Sequence, residues 1–227
     1  MIHFRPVCAL LFASSALLIA GCADDPWEDT PEFEISVLAP RDEAAPAENF
    51  LTDANFLMWW NVLGPIAPDK AGDIHAQLIR DENVICGKRN APKGARWYRM
   101  LARNEGPAGI PGQVDFSRFF LDNPSAKAPS VFYACQTLKC DSEYNGLVLN
   151  VGSRGKLKIW INGHPVYSYE KGDRPLKPDT DKVDGIVLRK GYNRIVIKYL
   201  DNEGDYRNNR KFCLRFTDAA GQSTLIR

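Results

Sequence analysis

The residues best placed to do chemistry are aromatic. Trp160 sits between Ile159 and Ile161. In a strand those two neighbours turn to one face and Trp160 turns to the other, beside Lys158. An indole on an outer sheet face is a flat apolar surface on which the apolar side of a sugar ring can stack. Tyr167 and Tyr169 share a face of the next segment and would extend that platform. His164, in the intervening turn, could donate a hydrogen bond. Arg154, in the turn Gly152-Ser153-Arg154-Gly155, is a further candidate contact. Each has a plainer reading. Buried Trp is commonly covered on both sides, so a covering loop is the expectation for Trp160, and packing against a loop is the counterpart for the tyrosines. His164 reads equally as an exposed turn residue. Trp59 and Trp60 are adjacent, so one faces the core and the other does not.

Other chemistries find less support. His75 and His164 are the only histidines after His3, which rules out a multi-histidine metal site. No Gly-x-Ser-x-Gly sequence supplies a nucleophile elbow. Acids are plentiful, but no motif places two of them as the paired carboxylates of glycoside hydrolysis. Asp179, Asp181 and Asp184 form an oxygen-rich stretch that could hold a structural calcium, although the spacing is not that of an EF-hand. The segment Asp201-Asn202-Glu203-Gly204-Asp205 is a weaker candidate of the same kind. No cofactor is expected beyond that calcium, and the chain reads as non-catalytic.

The elements that would position these residues are strands. Leu147, Leu149 and Val151 alternate with other residues; so do Leu157, Ile159 and Ile161, then Ile186 and Leu188, then Ile195, Ile197 and Tyr199, then Phe212, Leu214 and Phe216. Alternation of this kind marks half-buried strands. Asn162-Gly163 between two such rows is a strong hairpin signal, because both residues tolerate positive φ. Residues 56–63, ended by Gly64-Pro65, residues 95–102 and residues 131–138 read as strands. Residues 73–85 read as a short helix, with Asp73 at its start and Ile74, Leu78 and Ile85 on one face. Residues 104–112 are a loop by their glycines and prolines. The fold class is therefore all-β, an antiparallel sandwich with a short helix and long loops.

The chain begins with Arg5 and an uncharged apolar run over residues 7–20, too short to span a bilayer, which needs about 20 apolar residues. This is the pattern of an export signal. Residues 22–48 are acidic and proline-rich and suit a solvated tether, which leaves residues 49–227 for the sandwich. The 29 basic residues face 28 acidic ones, and Arg5 belongs to the leader. Such a balance excludes a generally basic, nucleic-acid-binding protein. Beyond the leader and Cys22 remain Cys86, Cys135, Cys140 and Cys213, an even set that reads as disulfides in an exported chain. The expected pairs are Cys135 with Cys213 and Cys86 with Cys140, among connectivities that sequence leaves open.

Two resemblances sharpen this picture. Leu18-Ile19-Ala20-Gly21-Cys22 resembles the lipobox of bacterial lipoproteins. The resemblance implies that residues 1–21 are removed and that Cys22 carries acyl chains. Ala23 after it is similar to the outer-membrane sorting pattern, which implies a cell-envelope location, at the outer membrane or its periplasmic face rather than the inner membrane. Further on, Asn150-Val151-Gly152-Ser153-Arg154-Gly155, Lys158-Ile159-Trp160-Ile161-Asn162-Gly163 and Leu188-Arg189-Lys190-Gly191-Tyr192-Asn193-Arg194 form a series similar to the galactose-binding-like jelly rolls. Trp60 to Pro65 looks like the entry strand of that family. The resemblance implies a jelly-roll sandwich, and by analogy of fold a glycan ligand. An envelope protein is the alternative partner.

Overall fold

The computed structural model of the chain describes residues 35–37, 51–68, 73–86, 97–102, 109–120, 129–172, 174–201, 210–223 and 226. The leader, Cys22 and most of the expected tether lie outside the described residues. The described residues form eleven strands: β1 (Ile35–Val37), β2 (Trp59–Ile66), β3 (Trp97–Leu101), β4 (Val114–Asp115), β5 (Ser130–Cys140), β6 (Tyr144–Ser153), β7 (Lys156–Ile161), β8 (His164–Tyr169), β9 (Asp181–Leu188), β10 (Gly191–Asp201) and β11 (Lys211–Thr217). They form two antiparallel sheets. The larger runs β1-β3-β2-β5-β10-β7-β8 and the smaller β4-β11-β6-β9. Among the described residues no helix is long and apolar enough to cross a membrane.

The alternating rows read from sequence are the inner faces of these sheets. Leu147, Leu149, Val151, Leu157, Ile159, Ile161, Ile186, Leu188, Ile195, Ile197, Tyr199, Phe212, Leu214 and Phe216 all belong to one buried cluster. An aromatic stack joins the layers at its centre: Phe116 lies flat on Phe132 at 4.5 Å, and Trp60 meets Phe212 edge-on at 5.3 Å. Burial of this apolar surface is the main force holding the layers together. Asn162 (φ 52°) and Gly163 (φ 85°) turn β7 into β8, as their residue types require. The Asn162 amide also ties the hairpin to β10. Its Oδ1 accepts from the Arg194 amide at 2.9 Å and its Nδ2 donates to Asn193 Oδ1 at 2.9 Å.

Four expectations are corrected. The strand expected over residues 56–63 is displaced to Trp59–Ile66: the cis Gly64-Pro65 lies inside it, at a shift in the register with β5, rather than ending it. Residues 73–85 do not form an α-helix. They cross the outer face of the large sheet as an irregular strap with one 3-10 turn at Glu82–Val84. Ile74, Ile79 and Ile85 are its buried apolar residues, a spacing that suits a segment lying flat on a sheet rather than a helical face. Ile35–Val37, expected to be tether, pairs with β3 as the edge strand, with Ile35 opposite Met100 and Val37 opposite Tyr98.

The fourth correction is the disulfide. Cys86 is bonded to Cys135, with Cα atoms 5.7 Å apart, while Cys140 and Cys213 are buried thiols. Strand geometry explains the choice. Cys135 and Cys140 are an odd number of residues apart on β5, so they face opposite ways. Cys135 faces outward, where the strap brings Cys86, and Cys140 faces the core. Cys213 lies between the core residues Phe212 and Leu214, so it points out of the far side of the small sheet, close to Gly152. Neither pair expected from sequence can meet. Burial, and secondarily the charge of Asp179, pushes the Cys213 thiol up to about 12, so it stays protonated.

Candidate ligand-binding surface

The large sheet has an outer face with two unlike halves. Over the middle of β5, β10 and β7 the strap covers it, while Lys139, Tyr192 and Arg194 towards one end stay exposed. Leu63, Ile74, Ile79, Ile85, Trp97, Val131, Tyr133, Cys135, Trp160, Val196 and Leu200 form a second apolar cluster between strap and sheet. Trp160 is here, 4% exposed, with Lys158 Nζ 5.0 Å from its ring centre. It therefore presents no open stacking face, because the strap occupies that position.

Polar groups clamp the strap as well. Lys198 points outward from β10 and is fully buried. Its ammonium donates to Glu82 Oε2 at 3.2 Å and to the Ala76 carbonyl. Tyr133 donates to the same Glu82 oxygen at 2.6 Å. Burial pulls the Lys198 ammonium below its ordinary range, with Glu82 opposing that. Burial, and then the bond to Glu82, pushes the Tyr133 phenol up, so it remains a donor. At the margins Asn83 donates to the Gly163 carbonyl at 3.0 Å, Arg194 donates to the Val84 carbonyl at 2.8 Å, and His75 Nε2 meets Glu170 Oε1 at 2.9 Å.

Over β2 and β3 the cover is partial: Leu63 and Trp97 are buried in the outer cluster, while Trp59, Asn61 and Arg99 are only partly buried. Trp60 turns into the core, so Trp59 turns out, and it is half-buried. The Arg99 guanidinium lies over its ring at 4.4 Å. Asn61, two residues along, also faces outward and its amide reaches the Cys86 sulfur at 3.9 Å. An indole, a guanidinium and an amide thus stand together on one partly open surface. Stacking of arginine on an indole holds the cation in place while its edges stay able to hydrogen-bond.

The other expected residues fall elsewhere. Tyr167 pairs with Ile159, a core residue, so Tyr167 and Tyr169 face inward at the sandwich edge. Trp160 faces outward, and the tyrosines therefore cannot extend a platform from it. They join Arg174 and Asp181 in a closed cluster. Tyr167 donates to Asp181 Oδ2, Arg174 pairs with the same carboxylate, and Arg174 lies over Tyr169 at 3.7 Å. Tyr169 donates to the Gly172 carbonyl at 2.9 Å. Burial raises the Asp181 carboxyl, but the bonds from Arg174 and Tyr167 outweigh it and hold the group below its ordinary range. The cluster links β8 to β9, and so sheet to sheet. Arg154 adjoins it: its carbonyl accepts from the Arg174 amide at 3.3 Å. His164 is exposed at the start of β8. Of the calcium candidates, Asp179 pairs with Arg215 and Asp181 with Arg174, while Asp184 is exposed. Among the described residues no group of three or more His, Cys, Asp or Glu is arranged to hold a metal ion. Of the weaker segment only Asp201 is described, ion-paired with Arg210.

One signal went unread in the sequence. Between Cys86 and Asn104 every charged residue is basic: Lys88, Arg89, Lys93, Arg96, Arg99 and Arg103. The balanced charge of the whole chain conceals this run.

No protein-family model matches the chain, and no curated protein matches it. Among solved structures it is similar to a β-glucosidase from Kluyveromyces marxianus in complex with glucose, at 10% identity over 76% of this chain and 18% of that one, with a TM-score of 0.43. It is also similar to a β-glucuronidase from Ruminococcus gnavus, at 18% identity over 74% and 24% of the two chains and a TM-score of 0.38. A family 35 carbohydrate binding module from Clostridium thermocellum is 18% identical over 39% of this chain and 72% of that one, with a TM-score of 0.26. The chain spans about a fifth of the first of these structures. Overlaps this loose leave the description of the fold to the two sheets themselves.

Proposed function

We propose that this is a lipid-anchored, non-catalytic envelope protein whose β-sandwich binds a glycan. The observation that carries the glycan reading is the group of partly exposed residues on the outer face of β2 and β3, where Trp59 stands half-buried beside Arg99 and Asn61. An aromatic ring with adjacent hydrogen-bonding groups is the usual composition of a small-molecule or sugar surface. The site thus moves from Trp160, the residue favoured by sequence, to Trp59. Anchoring rests on the lipobox-like Leu18-Ile19-Ala20-Gly21-Cys22. The Cys86–Cys135 disulfide suits an oxidising compartment such as the bacterial envelope. The non-catalytic reading is supported by the buried carboxylates, since Glu82, Asp115 and Asp201 each face a cation rather than one another.

The test is a polysaccharide and cell-wall binding screen on a soluble form beginning at Ala23, which keeps β1. Binding that Trp59→Ala abolishes and Trp59→Phe retains is the expected result. Silence across the screen removes the glycan reading. Mass spectrometry of the membrane-extracted protein checks the anchor: acyl chains on Cys22, absent in Cys22→Ser.

An assembly protein with a protein partner is the second reading. It is favoured by β9, an edge strand on which Val187 is 48% exposed. Copurification with one stoichiometric envelope protein, lost in Val187→Lys, would support it.

A further inference from the structure

We infer that the Cys86–Cys135 disulfide is a redox latch. A dithiol opens it in the folded protein, and the strap beyond Glu82 then lifts from Trp160 while the sandwich stays intact.

The first ground is what the bond joins. It ties the strap to β5, not one sandwich strand to another. Cys135, Val196 and Trp160 stand opposite one another on β5, β10 and β7, so the bond pins the strap at the level of the indole. Glu82 holds the strap one level away, over the cross-strand pair Tyr133 and Lys198. Past Glu82 come the Asn83 amide on the Gly163 carbonyl and the Arg194 guanidinium on the Val84 carbonyl. Neither bond is fully buried, so water can take over either of them. Beside these, Ile85 is the apolar anchor of this end of the strap.

The second ground is access. Cys86 is half-buried, whereas Cys135 is fully buried. Attack therefore falls on Cys86, because thiol–disulfide exchange needs the attacked sulfur within reach. A thiolate of the dithiol bonds to Cys86 Sγ. The bond to Cys135 breaks, and Cys135 leaves with the electron pair and takes a proton. The second thiolate of the dithiol then displaces Cys86, which is protonated in turn. Both cysteines end as thiols, and the dithiol ends as its own disulfide, oxidised by two electrons.

The third ground is that the exchange has no side branch among the described cysteines. Cys140 faces the core, and Cys213 points out of the far side of the small sheet. Both are buried thiols, and burial raises both above the ordinary thiol range, so they stay protonated and unreactive. Reoxidation then restores the same bond. What the latch governs is an indole with a cation 5.0 Å from its ring centre, Trp160 under Lys158. The oxidised protein hides that aromatic surface and the reduced protein shows it.

The experiment treats the full-length protein, extracted in a neutral detergent, with dithiothreitol at neutral pH and pulses it with iodoacetamide. Peptide mapping follows each cysteine separately. Cys86 should label first, Cys135 within about tenfold of it, and Cys140 and Cys213 roughly a hundredfold slower, as thiols that wait for global opening do. Hydrogen exchange from Asn83 to Ile85 should rise about tenfold on reduction, with β6 and β11 unchanged. Acrylamide quenching, taken as the difference between wild type and Trp160→Phe, should increase on reduction and return on reoxidation. Ile85→Ala should speed labelling of Cys135 in the reduced protein and leave Cys140 and Cys213 protected. Labelling of all four cysteines together overturns the inference, because the bond would then open only when the sandwich unfolds. Labelling of Cys135 as slow as that of Cys140 also overturns it, because the strap would then stay down without the bond.

Discussion

Trp59 and Trp160 occupy the same face of the same sheet, and each has a cation over its ring, Arg99 at 4.4 Å and Lys158 at 5.0 Å. Their fates differ because of one segment. The strap of residues 73–86 brings three isoleucines, a glutamate and a cysteine down onto β5, β10 and β7, and stops at the disulfide to Cys135. Beyond that point, past the buried Leu63 and Trp97, β2 and β3 leave Trp59, Asn61 and Arg99 partly exposed. An aromatic residue on a sheet is therefore not a site by virtue of its strand. What decides is whether another part of the chain brings enough apolar surface to cover it. Trp160 has become part of a core, and Trp59 remains partly exposed.

If this contrast is right, truncating the two tryptophans should separate stability from binding. Trp160→Ala opens a cavity under the strap and should cost about 3–5 kcal/mol, as other buried Trp truncations do. Trp59→Ala should cost under about 1 kcal/mol, as half-exposed positions do, while abolishing ligand binding. Denaturant titration with ligand binding on the same samples decides it. Equal destabilisation by both would erase the distinction between the halves.

The clamp on the strap gives the next effect. Lys198→Met strips the cation from Glu82 and leaves a buried carboxylate, so a loss of about 3–5 kcal/mol is expected. Replacing both partners, Lys198→Met with Glu82→Leu, should recover much of that loss, because a buried pair can often be exchanged for apolar groups. Tyr133 would then lack its acceptor, so Tyr133→Phe should restore more in the double variant than in the wild type. A double-mutant cycle measures the coupling. An additive result would mean that the strap is held by its isoleucines alone.

Cys86→Ser should cost about 2–4 kcal/mol by removing a link across 49 residues of sequence. The loss should be local first. Trp160 fluorescence should shift to the red in Cys86→Ser at denaturant concentrations where the inner core is intact, and Trp59 should not respond. A simultaneous change of both probes would show that strap and sandwich unfold as one unit.

Much of this architecture was legible beforehand, and the exceptions have a common cause. The inner rows from Leu147 to Phe216 alternate because one face meets the core and the other does not, and Asn162-Gly163 sits where only positive φ closes the hairpin. Period and turn chemistry are local, so they can be read from neighbours in sequence. The strap is not local. Ile74, Leu78 and Ile85 mimic a helical stripe, yet Ile74, Ile79 and Ile85 are the apolar residues buried, since what orders them is a sheet face built by residues far along the chain. The same holds for the disulfide. The parity of Cys135 and Cys140 was available, but not the fact that Cys86 would be laid on the outer side. Trp160 was singled out correctly as outward-facing, and Arg99 was passed over because the basic run around it vanishes in a balanced total.

The smallest expected effect is on pH dependence, and it belongs to the covered half alone. The folded state holds Lys198 below its ordinary 10.5, chiefly through burial. The unfolded chain therefore binds more protons than the folded one between the folded pKa and 10.5, and stability rises with pH across that window. Tyr133 acts with the opposite sign. Its phenol is raised above 10.0, chiefly by burial and then by Glu82. The folded state then keeps a proton that the unfolded chain loses, and stability falls as pH rises past 10.0. The two limbs should give the strap a stability maximum on the alkaline side of neutrality. Asp73, Glu82 and Lys158 also face this site and adjust the height of the limbs, but do not reverse them. Lys198→Met should remove the rising limb relative to wild type, and Tyr133→Phe should make the falling one shallower. Denaturation midpoints followed by Trp160 fluorescence across the alkaline range measure both. Unchanged slopes in the two variants would mean that the strap titrates as a surface segment does, and that the covered half is less sealed than its burial implies.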